Sequence, residues 1–150
     1  MEQIRTNMEK YDNYQLQMTR LKKALKEGFW LEAIFIEYAV MEDRLESVLR
    51  HGGKWKPDAK RIPSITQKIN LVSTMARQAP AKKYFSPELL EEILVWKNQR
   101  NPLIHALLRQ KMAESELEAI AQQGNLLAKQ LCSKATSYRR AMEREAGRPS

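Results

Sequence analysis

The sequence is poor in residues that break helices, form disulfides or bind metals. Its 150 residues include five glycines, six prolines, two histidines and one cysteine, Cys132. A single cysteine excludes an internal disulfide, and this histidine and cysteine content is too small for a zinc site, so we expect no metal and no cofactor. No segment approaches the roughly 20 apolar residues of a membrane span, and residues 1–5 lack the features of a signal peptide. We therefore expect a soluble, cytoplasmic protein with no membrane partner.

Charge is distributed unevenly along the chain. Lysine and arginine number 26 against 18 acidic residues, which gives a net charge of +8. Residues 50–61 contain five basic side chains and one acidic one, and residues 129–150 contain six and two. Two separated basic segments favour an anionic partner, of which nucleic acid is the commonest. A solvated surface with a disordered basic tail explains the same charges equally well.

Helical periodicity runs through almost the whole chain. Apolar residues three and four positions apart predict a first helix that ends at Gly28 and a second from about Phe29 to Arg50. Three later helices are predicted from N-capping signals: Ser64 with Gln67, Ser86 with Pro87, and Ser115 with Glu118. The second helix is apolar on most of its circumference, so other helices or a second subunit must cover it. We predict an all-α fold, an up-down helical bundle of about five to six helices in residues 1–138, with a basic, frayed tail in residues 139–150.

One segment contains the residues that could carry chemistry. Arg100 continues the buried stripe of its helix, and His105 shares the inner face of the segment that follows. Pro102 disfavours helical backbone at Asn101 and has no N–H to donate, so we predict that one helix ends here and another begins with Asn101 as its N-cap. The break would bring an arginine, an amide, a helix N-terminus and a histidine together, a set that suits phosphate chemistry. The structural alternative is that Arg100 pairs with a buried acid and His105 is a core residue at a kink.

Arg100-Asn101-x-x-x-His105 resembles the Arg-x4–6-His motif of HEPN domains (higher eukaryotes and prokaryotes nucleotide-binding), and the resemblance covers about residues 29–138. Glu42 resembles the acid often found in the second helix of such domains. The resemblance implies a metal-independent endoribonuclease of toxin–antitoxin or defence systems. Such enzymes are two-fold dimers that bring two Arg/His pairs into one cleft, where a 2′-hydroxyl attacks the adjacent phosphate and leaves a 2′,3′-cyclic phosphate.

The resemblance also implies roles for individual residues. His105 would be the acid/base catalyst, Arg100 would stabilise the phosphorane and Asn101 would orient the pair. Some toxin members carry a tyrosine two residues after the histidine, which a partner antitoxin modifies, but Leu107 stands there in this chain. Other members are non-catalytic modules that bind nucleic acid or a nucleotidyltransferase-type partner, and this is the alternative function.

RNA contacts are predicted in the two basic segments. Trp55, between Lys54 and Lys56, could stack on an unpaired base, because RNA-binding proteins use aromatic rings flanked by cations. Alternatively, its ring closes over the end of the bundle. Arg139 and Arg140 could bind backbone phosphates or could belong to a solvated helix end.

Two acids interrupt apolar stretches of the second helix. Glu42 lies on an apolar stripe, where an unpaired carboxylate would be costly, so it needs a partner. Arg100 is a candidate for that partner, and Glu37 is the rival buried acid.

Overall fold

The structure is a computed structural model that describes residues 2–55, 63–109 and 113–147, apart from the side chains of residues 2–7 and 104. In these ranges it contains five α-helices, one short 3-10 helix and no strand, so the predicted all-α class is confirmed. The elements are α1 (Glu2–Glu27), α2 (Trp30–His51), α3 (Ile65–Met75), the 3-10 helix (Ala81–Lys83), α4 (Pro87–Ala106) and α5 (Glu114–Gly147).

Helix α2 is the centre of the bundle. It packs against α1, α3 and α5, and α4 packs against α3 and α5. This placement explains why α2 is apolar around most of its circumference, since three neighbours cover it. Its buried residues are Ala33, Ile34, Ile36, Glu37, Val40, Met41, Leu45, Val48 and Leu49.

Glycines end the first two helices, as the sequence predicts. Gly28 and Gly53 have φ angles of +77° and +71°, in the left-handed region where an L side chain is disfavoured. After each glycine, a backbone N–H donates back into the last turn, from Phe29 to the Ala24 carbonyl and from Lys54 to the Leu49 carbonyl, both at 2.8 Å. These are the 6→1 hydrogen bonds of the Schellman motif.

Two of the four predicted N-caps, Ser64 and Ser86, are confirmed. Ser64 and Gln67 form a reciprocal capping box, with N–H to side-chain oxygen distances of 3.2 and 2.8 Å. Ser86 Oγ accepts a hydrogen bond from the Leu89 N–H at 3.1 Å, and Pro87 occupies the first turn of α4. Both starts depend on residues close in sequence, which is why the pattern alone locates them.

The start and the end of α5 differ from expectation. The helix already includes Glu114, so Ser115 lies within its first turn and is not the N-cap. The carbonyl of Ala113 accepts the N–H of Leu117 at 3.3 Å, which places the first helical hydrogen bond ahead of the predicted cap. At the other end, α5 continues through the predicted tail to Gly147, because Tyr138 is buried and anchors the last turns.

Helices α4 and α5 meet at one close contact. The indole N–H of Trp96 donates to the carbonyl of Ile120 at 2.9 Å, and the Trp96 ring is buried against the backbone of Gly124. A Cβ atom at position 124 would lie 2.6 Å from this ring, so only glycine fits without a shift. None of the described helices combines the length and apolar character needed to cross a membrane.

Candidate functional site

The predicted helix break at Pro102 is wrong. Helix α4 runs without interruption from Pro87 to Ala106, with Pro102 inside it and Asn101 exposed on it. An internal proline loses one hydrogen bond and costs about 3 kcal/mol. Leu103, immediately after it, is buried in the core, and burial of this kind stabilises the last turn of the helix. Tertiary packing therefore overrides the local preference, and no helix N-terminus exists at Asn101.

Arg100 lies on the inner face of α4, as predicted. It follows Leu89, Ile93 and Trp96, all buried, and is itself half-buried. Its guanidinium carbon stands 3.9 Å from the centroid of the Tyr38 ring on α2, a close cation–π contact. The side chain thus holds α4 against α2 at the edge of the core.

His105 points away from Arg100. Residues five apart on a continuous helix are about 140° apart around its axis, and His105 is exposed. Leu108, three residues further along the chain, is 97% exposed. One chain therefore does not bring Arg100 and His105 together, and the predicted inner-face position of His105 is wrong.

Glu42 pairs with a residue that the sequence analysis did not identify. Its Oε1 lies 3.6 Å from Nζ of Lys68 on α3, whose side chain is buried, and Lys68 also contacts Glu46 at 3.8 Å. The considered Glu42–Arg100 ion pair is not formed, although both groups act on Tyr38. Burial raises the pKa of Tyr38, the Glu42 carboxylate adds to that rise, and the Arg100 guanidinium opposes it.

Glu37 is the buried acid of α2. It is fully buried, and neither carboxylate oxygen has a hydrogen-bond partner among the described residues. Burial raises its pKa to about 9, so the carboxyl is protonated at neutral pH. Gly124 and Trp96 lie beside it, which places this group in the core and away from any surface cleft.

The residues predicted to bind RNA occupy different surroundings. Trp55 is half-buried against the core, with the Arg50 guanidinium 5.9 Å and the Lys68 ammonium 5.4 Å from its ring. This arrangement favours the interpretation in which Trp55 closes the end of the bundle. Lys54 is exposed, while Lys56 lies outside the described residues.

On α5, the predicted phosphate-binding residues Arg139 and Arg140 are both exposed. Arg139 Nε lies 3.8 Å from a Glu143 carboxylate oxygen.

A groove of about 1100 Å³ runs between α1, α2 and α5, and Arg139 is part of it. Two aromatic side chains that line the groove are largely exposed, Tyr11 with 64% and Phe35 with 67% of its surface accessible to solvent. Its charged lining residues are Lys10, Arg20, Arg44, Arg50 and Arg139, against Glu32, Asp43 and Glu143. We name this feature the aromatic groove. The sequence did not indicate this groove because its residues come from three helices, and the periodicity placed Tyr11 and Phe35 among apolar residues rather than on an exposed surface.

The chemistry of the aromatic groove suits binding more than nucleophilic catalysis. Its one thiol, Cys132, accepts a hydrogen bond from the Tyr14 hydroxyl at 3.3 Å, and burial raises the pKa of both groups. A thiol with a raised pKa is a poor nucleophile at neutral pH. Among the described residues, no group of three or more histidine, cysteine, aspartate or glutamate side chains is arranged to hold a metal ion.

Compared with protein-family models, curated proteins and solved structures, the chain matches none of them.

Proposed function

We propose that the protein is a helical module that binds single-stranded RNA in the aromatic groove. The observation that carries this proposal is the pair of open rings, Tyr11 and Phe35, among five basic side chains in one groove. Proteins that bind single strands combine these two elements, because bases stack on aromatic rings while cations contact the phosphates. The net charge of +8 adds long-range attraction for a polyanion.

Four of the five basic side chains in the groove contact an acid. Arg44 contacts Asp43, and Arg50 contacts Glu46 at 3.2 Å. The other two pairs, Lys10 with Asp43 and Arg139 with Glu143, each have a separation of 3.8 Å and partners that are at least 39% exposed. Exposed pairs of this kind contribute at most about 1 kcal/mol. A phosphate group therefore competes readily for either cation.

Fluorescence anisotropy with a labelled oligoribonucleotide of about 12 nucleotides tests the proposal. Because stacking contributes about 1–3 kcal/mol per base, we expect Tyr11→Ala and Phe35→Ala each to weaken binding about 5- to 150-fold. Phe29→Ala is the matched control, since Phe29 is 53% exposed and lies outside the groove. Wild-type affinity in both groove variants would refute the proposal.

The second candidate is the dimeric endoribonuclease that the HEPN resemblance implies. One observation favours it: Leu107 and Leu108, at the end of α4 just after His105, are 49% and 97% exposed. Exposed apolar side chains of this kind are typical of subunit interfaces. A two-fold dimer at this end of α4 would bring to one interface the Arg100 and His105 side chains that lie apart in a single chain.

The two candidates give opposite results in a cleavage assay. The nuclease would sediment at about twice the 17.5 kDa chain mass and cleave mixed RNA in the presence of EDTA, leaving a 2′,3′-cyclic phosphate. Arg100→Ala and His105→Ala would each abolish cleavage, because acid–base and electrostatic terms each contribute about 10²-fold or more. Intact RNA at every protein concentration tested would leave the binding module as the function.

A further inference from the structure

A second concave site lies where the start of α4 meets the middle of α5. This cavity of about 430 Å³ falls within the size range of small-molecule sites, roughly 300–1,000 Å³. Its lining residues are Lys83, Tyr84, Ser86, Leu89, Lys129, Gln130, Ser133 and Lys134. We name it the lysine cavity, and none of its lining residues belongs to the aromatic groove.

The charge of the lysine cavity is all of one sign. Lys83 is the last residue of the 3-10 helix, and Lys129 and Lys134 lie on α5. No aspartate or glutamate lines the cavity. None of the three lysines forms an ion pair among the described residues. Three lysines line one concavity without an acid among the lining residues, so an anion that neutralises them binds favourably.

The polar groups of the cavity suit phosphate. Ser86 Oγ already accepts the Leu89 N–H at 3.1 Å, which leaves its hydroxyl hydrogen free to donate. The N-terminus of α4, a helix of 20 residues, begins here and carries a partial positive charge. Lysine binds phosphate as a point charge, and Lys83 and Lys134, from two different elements, line the same cavity.

The remaining lining favours a nucleotide over a bare anion. Tyr84 offers a half-buried aromatic ring, with the Lys83 ammonium 5.6 Å from its centroid, and Leu89 provides a buried apolar wall. Gln130 and Ser133 add an amide and a hydroxyl that pair with sugar or base edges. We propose that the lysine cavity binds the phosphate groups of a nucleotide, either free as a diphosphate or triphosphate or as part of an RNA strand.

Calorimetric titration of the full chain with ADP, and separately with inorganic pyrophosphate and a single-stranded oligoribonucleotide, tests this assignment. We expect one ADP per chain. Lys83→Gln and Lys134→Gln should each weaken binding at least about tenfold, because each removes a charged contact to phosphate. Lys82→Gln is the matched control, as Lys82 is an exposed neighbour on the same 3-10 helix that does not line the cavity.

The outcomes of these titrations distinguish a free nucleotide from an RNA strand as the source of the phosphate groups. Lys134-dependent binding of ADP assigns the cavity to a free nucleotide, and Lys134-dependent binding of the oligoribonucleotide alone assigns it to an RNA strand. Pyrophosphate that binds as tightly as ADP overturns the nucleotide assignment. Failure of all three ligands to bind, or equal binding by wild type and Lys134→Gln, overturns the site. The Phe35→Ala variant should bind ADP like wild type, so failure of the groove and failure of the cavity are distinguishable.

Discussion

The buried carboxyl of Glu37 should make the stability of this protein fall as pH rises. Its pKa is about 9 in the folded chain against 4.5 for an unperturbed glutamate. The folded state therefore keeps a proton that the unfolded state loses, and the free energy of unfolding decreases between these two pH values. One pKa unit corresponds to about 1.4 kcal/mol, so the loss at neutral pH is about 3 kcal/mol relative to acid conditions.

The window for the measurement is about pH 7 to 8.5, where the expected decrease in unfolding free energy is about 2 kcal/mol. Partial burial and the nearby Arg139 lower the pKa of His51, which makes stability rise with pH, but only below the ordinary histidine pKa of about 6.5. Cys132 has a raised pKa, above its ordinary value of 9.0. Glu37 is thus the group that dominates this window.

Urea denaturation followed by circular dichroism, repeated across the window, measures the slope. Glu37→Gln should flatten it, whatever the absolute stability of the variant, because the amide does not titrate. Glu32→Gln is the control, since Glu32 is exposed in the first turn of the same helix. A wild-type protein with constant stability over this range, or a Glu37→Gln variant that retains the slope, would refute the reasoning.

Two further predictions concern packing. Arg100→Ala should lower the free energy of unfolding by about 0.5–2 kcal/mol, because the contact with Tyr38 is lost. His105→Ala, at an exposed position, should change it by less than about 0.5 kcal/mol. Equal effects of the two variants in thermal unfolding would contradict the assignment of these residues to opposite faces of α4. Gly124→Ala should destabilise by about 1–3 kcal/mol, because the added methyl group meets a Glu37 carboxylate oxygen on α2 and the Trp96 ring on α4. An unchanged melting temperature would contradict the close packing of α5 against these two helices.

Features that depend on neighbours in sequence were predictable, and features that depend on packing were not. The capping box at Ser64 and the start at Ser86 follow from residues within one turn. At Pro102 the local preference favours a break, but burial of Leu103 in the core keeps the helix continuous.

The choice between the two candidate buried acids shows the same limit. Glu37 and Glu42 both interrupt apolar stretches of α2. Only the position of α5, with Gly124 against one of them, determines that Glu37 is the buried acid. Periodicity identifies a helix face, but it does not tell which neighbour will cover that face.

The aromatic groove and the lysine cavity were out of reach for a similar reason. Each joins residues from elements far apart in the chain, such as Tyr11 with Arg139 and Lys83 with Lys134. The basic segments identified from composition supply some of these cations. Their aromatic and hydroxyl partners become visible only once the helices are placed.

The central position of α2 has a consequence for synthesis of the chain. Helix α2 shares its most extensive interface with α5, which follows it in the chain after three other helical elements. At about 5–20 residues per second, the roughly 100 residues between the ends of these helices take on the order of 5 to 20 s to translate. During that interval the apolar side of α2 that α5 will cover is open to water and to other nascent chains. The bundle therefore cannot complete its core until α5 has been synthesised, and chaperones that bind apolar helices have several seconds in which to act on α2.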